Sequence, residues 1–263
     1  MQTPDTMFQD GAAYERMMGR WSQRVGSRFL DWLGVAPGLD WLDAGCGNGA
    51  FTEIIAARAA PASLTGIDPS SGQIAFARRR PGAKGANFEV GDAQTLPFAA
   101  DRFDVSVMAL VIAFIPDPAR AVAELARVTK AGGLIATYMW DMQGGVPLAP
   151  LHRALAAMGH AAPLPPSAPA SSLAALETLW RGAGLTEIEV ETFPLNVTFD
   201  SFDDFWQSNV QPVGPLAAVL RDLPDTERDR LRQHLKESLP TDADGRIAYG
   251  ALANAVKGRR AGG

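Results

Sequence analysis

Residues 41–49 read Trp41-Leu42-Asp43-Ala44-Gly45-Cys46-Gly47-Asn48-Gly49. An apolar run ends on Asp43, three alternating glycines follow, and apolar residues then recur at helical spacing (Ala50, Phe51, Ile54, Ile55). Strand, glycine turn and helix in that order make a nucleotide-type cofactor site at the carboxyl edge of a parallel sheet. Glycines there admit positive φ and let a ligand approach the backbone. Gly45, Gly47 and Ala50 also satisfy the G-x-G-x-x-A dinucleotide fingerprint, so this stretch alone leaves the cofactor class open.

Upstream, Tyr14, Met17, Met18, Trp21, Val25, Phe29 and Leu33 recur at three- and four-residue steps, which predicts a helix over 12–33. Downstream, strand-like segments (39–44, 63–67, 86–90, 103–109, 133–140) alternate with helix-like ones (50–59, 70–80, 117–130). That alternation predicts an α/β fold, a doubly wound and mostly parallel sheet with helices on both faces. A proline-rich stretch follows, read as a short helix at 148–159 and an extended connector. A helix at 171–182 capped by Ser171 or Ser172, a long strand at 186–199 and a final strand at 246–257 complete the series. A charged helical insert, 201–238, separates the last two.

Three acidic residues close successive strands. Asp68 lies 19 positions after Gly49, where a carboxylate meets the hydroxyls of a ribose; the alternative is a turn or cap aspartate, because Asp68-Pro69-Ser70 starts a helix well. Asp92 and Ala93, in Gly-Asp-Ala after the third strand, suit an adenine: the carboxylate accepts from the amino group and the next N–H donates to a ring nitrogen. Asp43, two residues before the first glycine, disfavours a pyrophosphate and favours a cation, such as a sulfonium or ammonium. It can equally order the loop. Carbonyls near Ala109 and Leu110, at the exit of the fourth strand, would face the ammonium.

The order and spacing of these strand ends resemble a class I S-adenosylmethionine (SAM)-dependent methyltransferase. The glycine motif 43–49, Asp68, Gly91-Asp92-Ala93, Leu96-Pro97-Phe98, Phe103-Asp104 and Glu124-Leu125-Ala126-Arg127-Val128-Thr129-Lys130-Ala131-Gly132-Gly133 carry the resemblance over about residues 35–140. Ala131 stands where that family usually has proline. The most similar branch is the small-molecule one typified by quinone-biosynthesis C-methyltransferases. The resemblance implies a Rossmann-like seven-stranded sheet with an antiparallel last strand, SAM as cofactor and a small-molecule methyl acceptor. Residues expected to hold SAM are Tyr14, Arg20, Asp43, Gly45, Cys46, Gly47, Asp68, Pro69, Asp92, Ala93, Ala109 and Leu110. Tyr14 and Arg20 would close over the cofactor from the N-terminal helix, Arg20 pairing with its carboxylate; the alternative is a helix packed on the sheet with Arg20 exposed.

No general base is legible. The aromatic His-type residue often seen in that family after strand four is absent, Ala113 and Phe114 standing there, and His152, His160, Asp141 and Tyr138 are the candidates. No His/Cys/Asp cluster has metal-ligand spacing, so no metal is expected. The organisation expected is an N-terminal helical cap (1–36), a core (37–200 and 245–258) and a helical insert (201–244) that serves as a substrate lid, the alternatives being a homodimer contact or simple packing.

A net charge of −5 argues against a nucleic-acid partner. The lone Cys46 excludes an internal disulfide, and a polar, acidic start and the lack of a long apolar run argue against a signal peptide or membrane insertion. A cytoplasmic protein is the expectation. Two other functions fit the same pattern: a nucleotide-dependent oxidoreductase and a SAM-binding regulator without turnover.

Overall fold

The structure is a computed structural model that describes residues 18–160, 163–210 and 216–262. Strand β1 (Asp40–Ala44) runs into the glycine turn and helix α2 (Ala50–Arg58), following helix α1 (Arg20–Leu33). The chain then forms β2 (Ser63–Asp68), α3 (Ser71–Ala77), β3 (Asn87–Val90), β4 (Phe103–Ala109), α4 (Pro118–Val128) and β5 (Thr129–Trp140). Helices α5 (Ala149–Ala157) and α6 (Leu173–Gly182), strand β6 (Leu185–Phe199), helices α7 (Phe202–Asn209), α8 (Leu216–Asp222) and α9 (Asp225–Ser238), and strand β7 (Ile247–Arg260) follow.

The seven strands lie in the order β3-β2-β1-β4-β5-β7-β6. Strands β1 to β5 pair in parallel, and β7 runs antiparallel between β5 and β6. The chain winds outward from β1 to β3, then crosses back to place β4 on the other side of β1. That reversal opens a crevice above the carboxyl ends of β1 and β4, where ligands of such sheets bind.

Local chemistry explains the boundaries. Asp117 caps α4 by accepting from the Arg120 N–H at 3.0 Å, with Pro118 in the first turn. Ser172, not Ser171, caps α6. Helix α3 stops at Ala77, short of the expected residue 80, because Arg80 precedes Pro81 and is extended (ψ 118°). Strand β5 begins four residues earlier than expected: Thr129 pairs with Phe103, and an irregularity carries the ladder to Leu134 opposite Val105.

Both faces of the sheet are covered. On one, α1 brings Trp21, Val25 and Phe29 onto the strands, and Phe29 packs 4.6 Å from Tyr138 of β5. On the other, α4 and α6 bury Val122, Leu125, Leu176 and Trp180, whose indole N–H donates to the Ile135 carbonyl at 3.1 Å. The insert joins the first of these cores. Phe205 packs 5.1 Å from Phe199, and Leu220, Leu231 and Leu235 are buried with it. No helix among the described residues is long and apolar enough to cross a membrane.

Candidate active site

The glycine turn is tied down before it can hold anything. The N–H groups of Gly45 and Cys46 both donate to the Ile67 carbonyl, at 2.7 and 3.0 Å, locking the turn to the end of β2. Gly45 has φ +75°, and a Cβ there would lie 2.7 Å from a methyl of Val111 in the loop after β4. A side chain is therefore excluded both by conformation and by the neighbouring strand's exit. Gly47, at φ +51°, has nothing within 4 Å of the Cβ position and opens onto the crevice.

The three acidic strand ends line one cavity of about 440 Å³. Their states differ. Asp43 is fully buried; its Oδ2 accepts from the Thr52 hydroxyl at 2.7 Å, and Oδ1 has no hydrogen-bond partner among the described residues. Burial pushes its pKa up to about 7, opposed by the Thr52 bond and reinforced by nearby Asp68. Asp68 accepts from the Gly47 N–H (2.9 Å, Oδ2) and the Ser70 N–H (2.9 Å, Oδ1), so it braces the glycine turn and starts α3 while facing the cavity. Asp92 is exposed, and its carboxylate accepts from the backbone and side-chain amide of Gln94.

Of the other expected residues, Gly45, Cys46, Gly47, Pro69, Ala93, Ala109 and Leu110 line the same cavity. Leu110 takes φ +60°, a left-handed conformation that a leucine adopts only under constraint. Its N–H donates to the Tyr138 carbonyl at 2.9 Å, and the strained turn redirects the chain from β4 across the crevice. Cys46 is buried, and burial, with the charges of Asp43 and Asp68, pushes its thiol pKa well up. It packs; it is no nucleophile.

Arg20 is not brought to the cavity. Its guanidinium lies 4.4 Å from the Trp21 ring and 4.5 Å from the Phe199 ring, and Asp204 of the insert is 3.7 Å away. The helical period explains this: Met18 and Ser22, which do line the cavity, are each about 200° around α1 from Arg20. Tyr14 lies outside the described residues. Among the base candidates, His152 and Tyr138 line the cavity; His160 instead pairs with Glu227 of α9 at 2.5 Å, and Asp141 accepts from the Gln143 N–H.

Several lining residues escaped sequence reading. Ser22 on α1, Gln73 on α3 and Trp140 at the end of β5 all face the cavity. The Ser22 hydroxyl and the Trp140 indole N–H are buried without a partner among the described residues. Gln73 sits five residues after Asp68, one turn into α3, a placement its sequence position could have revealed. Ser22 and Trp140 carry no local signal. The connector adds Pro163, Leu164 and Pro165 to the lining, with Leu164 exposed at the rim. Ser167 fastens it over the β4 exit, its N–H donating to the Ala113 carbonyl (3.0 Å) and its hydroxyl to the Ile115 carbonyl (2.7 Å).

Comparison with known proteins agrees with this geometry. Residues 42–137 match the family described as methyltransferase domain. The malonyl-[acyl-carrier protein] O-methyltransferase of Serratia marcescens is 35% identical over 111 residues, 42% of this chain and 42% of that protein. A chloroplastic 2-methyl-6-phytyl-1,4-hydroquinone methyltransferase of Oryza sativa is 40% identical over 93 residues, 35% of this chain and 27% of that protein. The chain thus spans less than half the length of these curated relatives. In fold, it is similar to phosphoethanolamine N-methyltransferase 2 of Haemonchus contortus, solved with S-adenosyl-L-methionine (TM-score 0.59, 20% identity, 95% of this chain and 56% of that one). Residues 42–137 thus carry a methyltransferase domain, with SAM as its cofactor, and the oxidoreductase reading finds no support.

Proposed function

We propose that this methyltransferase domain is catalytically active and transfers the methyl group of SAM to a small-molecule acceptor bound in the same cavity. The observation that carries the reading is the convergence of Asp43, Asp68 and Asp92 on one cavity that no lysine or arginine lines among the described residues. Among the described residues, the charged side chains that a dinucleotide's pyrophosphate would meet there are carboxylates. A ligand bearing a sulfonium and an ammonium would find compensation. The unpartnered Asp43 Oδ1 and Ser22 hydroxyl are the groups such a ligand would satisfy.

In this reading Asp68 and Gln73 receive the ribose, Asp92 and Ala93 the adenine, and Asp43, Ser22 and the Leu110 turn the amino-acid end. When bound, SAM supplies a methyl group already activated by the sulfonium. The chain's own task is to hold the acceptor in line with that carbon and to exclude water. The volume of about 440 Å³ falls within the range typical of small-molecule sites, about 300–1,000 Å³. Leu216 of the insert contributes to the wall, which supports the insert as the acceptor's lid; a homodimer contact through its outer face is the alternative, separable by sedimentation. We place the protein in the cytoplasm on its single, buried cysteine.

Calorimetric titration with S-adenosylhomocysteine tests the proposal. One site per chain is expected, and Asp68→Asn, which keeps the shape but removes the charge, should weaken binding by about ten- to a hundredfold. No binding by the unsubstituted protein, or full affinity in the variant, sinks the reading.

A further inference from the structure

The acceptor end of the cavity has a chemistry of its own. The end of β5, the loop after it and α8 line the cavity with Met139, Trp140, Met142, Val146, Leu148 and Leu216. Besides the three aspartates and Cys46, the ionisable side chains that line the cavity among the described residues are Tyr138 and His152. Tyr138 is 1% exposed and packed between Phe29 and Phe51, so it belongs to the core. His152 projects from α5, and its ring nitrogens have no hydrogen-bond partner among the described residues.

We infer that His152 is the proton acceptor of this site, and that the molecule methylated is uncharged, apolar in its body, and presents a hydroxyl to that imidazole. The inference rests on the reading of the cavity as a methyltransferase site. Charge bounds the acceptor from both sides. A carboxylate or phosphate would be stripped of water in a cavity that no lysine or arginine lines among the described residues, and would face Asp43 and Asp68. An ammonium would face the like charge of a sulfonium. An uncharged molecule with an apolar body meets neither cost, and the exposed Leu164 (62%) between Pro163 and Pro165 gives it an apolar rim to cross.

His152 is suited to take the proton. Burial alone lowers its pKa, so the ring is neutral and holds a free lone pair. The charged groups around α5 are directed elsewhere. Glu227 of α9, the helix packed against it, pairs with His160, and the neighbouring Arg153 acts on Tyr249. During transfer the hydroxyl oxygen bonds to the methyl carbon as the carbon–sulfur bond breaks, the electron pair of that bond staying on sulfur. The hydroxyl proton passes to a ring nitrogen of His152, and from there to solvent at the rim. A neutral O-methyl product and a neutral thioether result.

The test uses the full chain saturated with S-adenosylhomocysteine, titrated calorimetrically with 4-butylphenol and with 4-butylbenzoate. The phenol is expected to bind at least about tenfold more tightly than the benzoate. His152→Leu is expected to lose at least about tenfold of the phenol affinity while binding S-adenosylhomocysteine unchanged. In the unsubstituted protein, the imidazole ¹⁵N resonances of His152 should shift on adding the phenol and not the benzoate, a readout that stands if the leucine variant fails to fold. Equal binding of the two probes, binding of neither, an unaffected variant or unmoved resonances would each overturn the inference. A failure to bind S-adenosylhomocysteine would instead overturn the proposed function beneath it.

Discussion

The two ends of the cavity are built in different ways. At the glycine turn, the strand tips and the turns just after them supply most of the wall, and their backbone N–H groups hold them: Gly45 and Cys46 to the Ile67 carbonyl, Gly47 to the Asp68 carboxylate, Leu110 to the Tyr138 carbonyl. At the far end the walls come from the end of β5 and the loop after it, α5, the connector and α8, most of them remote in sequence from the glycine turn and pinned by a few bonds such as those of Ser167. The first end is polar and acidic. The second, among the described residues, is apolar with one imidazole. A ligand shared by many proteins suits the first, because strand geometry repeats wherever the sheet repeats. A ligand particular to this chain suits the second, because packing between distant segments changes freely with sequence.

The sharpest break in that comparison is Gly45→Ala. A Cβ at φ +75° against Val111 disturbs the turn, the start of α2 and the loop after β4 together. We expect a loss of about 1–3 kcal/mol in stability, and S-adenosylhomocysteine affinity reduced more than about a hundredfold. Thermal unfolding and calorimetry measure the two. Retained affinity would mean that the turn is not the cofactor's cradle.

Next in size is a pH effect from Asp43. Its folded pKa of about 7 lies above the ordinary carboxylate value of 3.8, so below pH 7 the group is neutral in the ligand-free protein. A cationic ligand prefers the carboxylate, and its affinity should fall about tenfold per pH unit below 7. Calorimetry from pH 5.5 to 8.5 reads this slope, and Asp43→Asn should flatten it. The stability sign is opposite. The raised pKa contributes stability that is present below pH 3.8 and lost as pH rises to 7. The asparagine variant, free of ligand, should therefore gain on the native protein between pH 5 and 8. A cofactor affinity that does not vary with pH would show that no cation sits beside Asp43.

The smallest effect sharpens the comparison by its absence from the cofactor end. Arg20→Ala removes a guanidinium stacked on Trp21 and Phe199 and a 3.7 Å pairing with Asp204, both partners over a third solvent-exposed. Solvent screening discounts the ion pair, and we expect about 0.5–1 kcal/mol of stability with S-adenosylhomocysteine affinity unchanged. A large loss of affinity would return Arg20 to the cofactor.

Legibility in the sequence follows the same division. Strand β4 is read to the residue, although the apolar run continues past it to Ile115 and only the left-handed turn at Leu110 ends the strand. The tips at 43–49, 68, 92–93 and 109–110 were legible because each follows its strand directly, so position along the chain translates into position at the sheet edge. Arg20 was misplaced because periodicity assigns a helix an apolar face without saying which neighbour covers each flank. Ser22 was missed for the same reason: its hydroxyl lies on the buried face beside Met18, and only the packing of α1 across β5 and α2 turns it toward the crevice. Gly26 permits that close packing, since a Cβ there would sit 3.0 Å from the Tyr138 hydroxyl and 3.1 Å from Phe51.

What the sequence determined by itself was the sheet, its order of strands and helices, and the acidic crown at the strand tips, because alternation, glycine conformation and helix capping act over a few residues. Tertiary structure alone decided that Asp43 is buried with one oxygen unsatisfied, that Arg20 serves the insert, and that His152 rather than His160 faces the cavity. Those outcomes depend on which distant segments exclude water from a given atom, and burial is a property of the packed assembly that no short stretch of chain encodes.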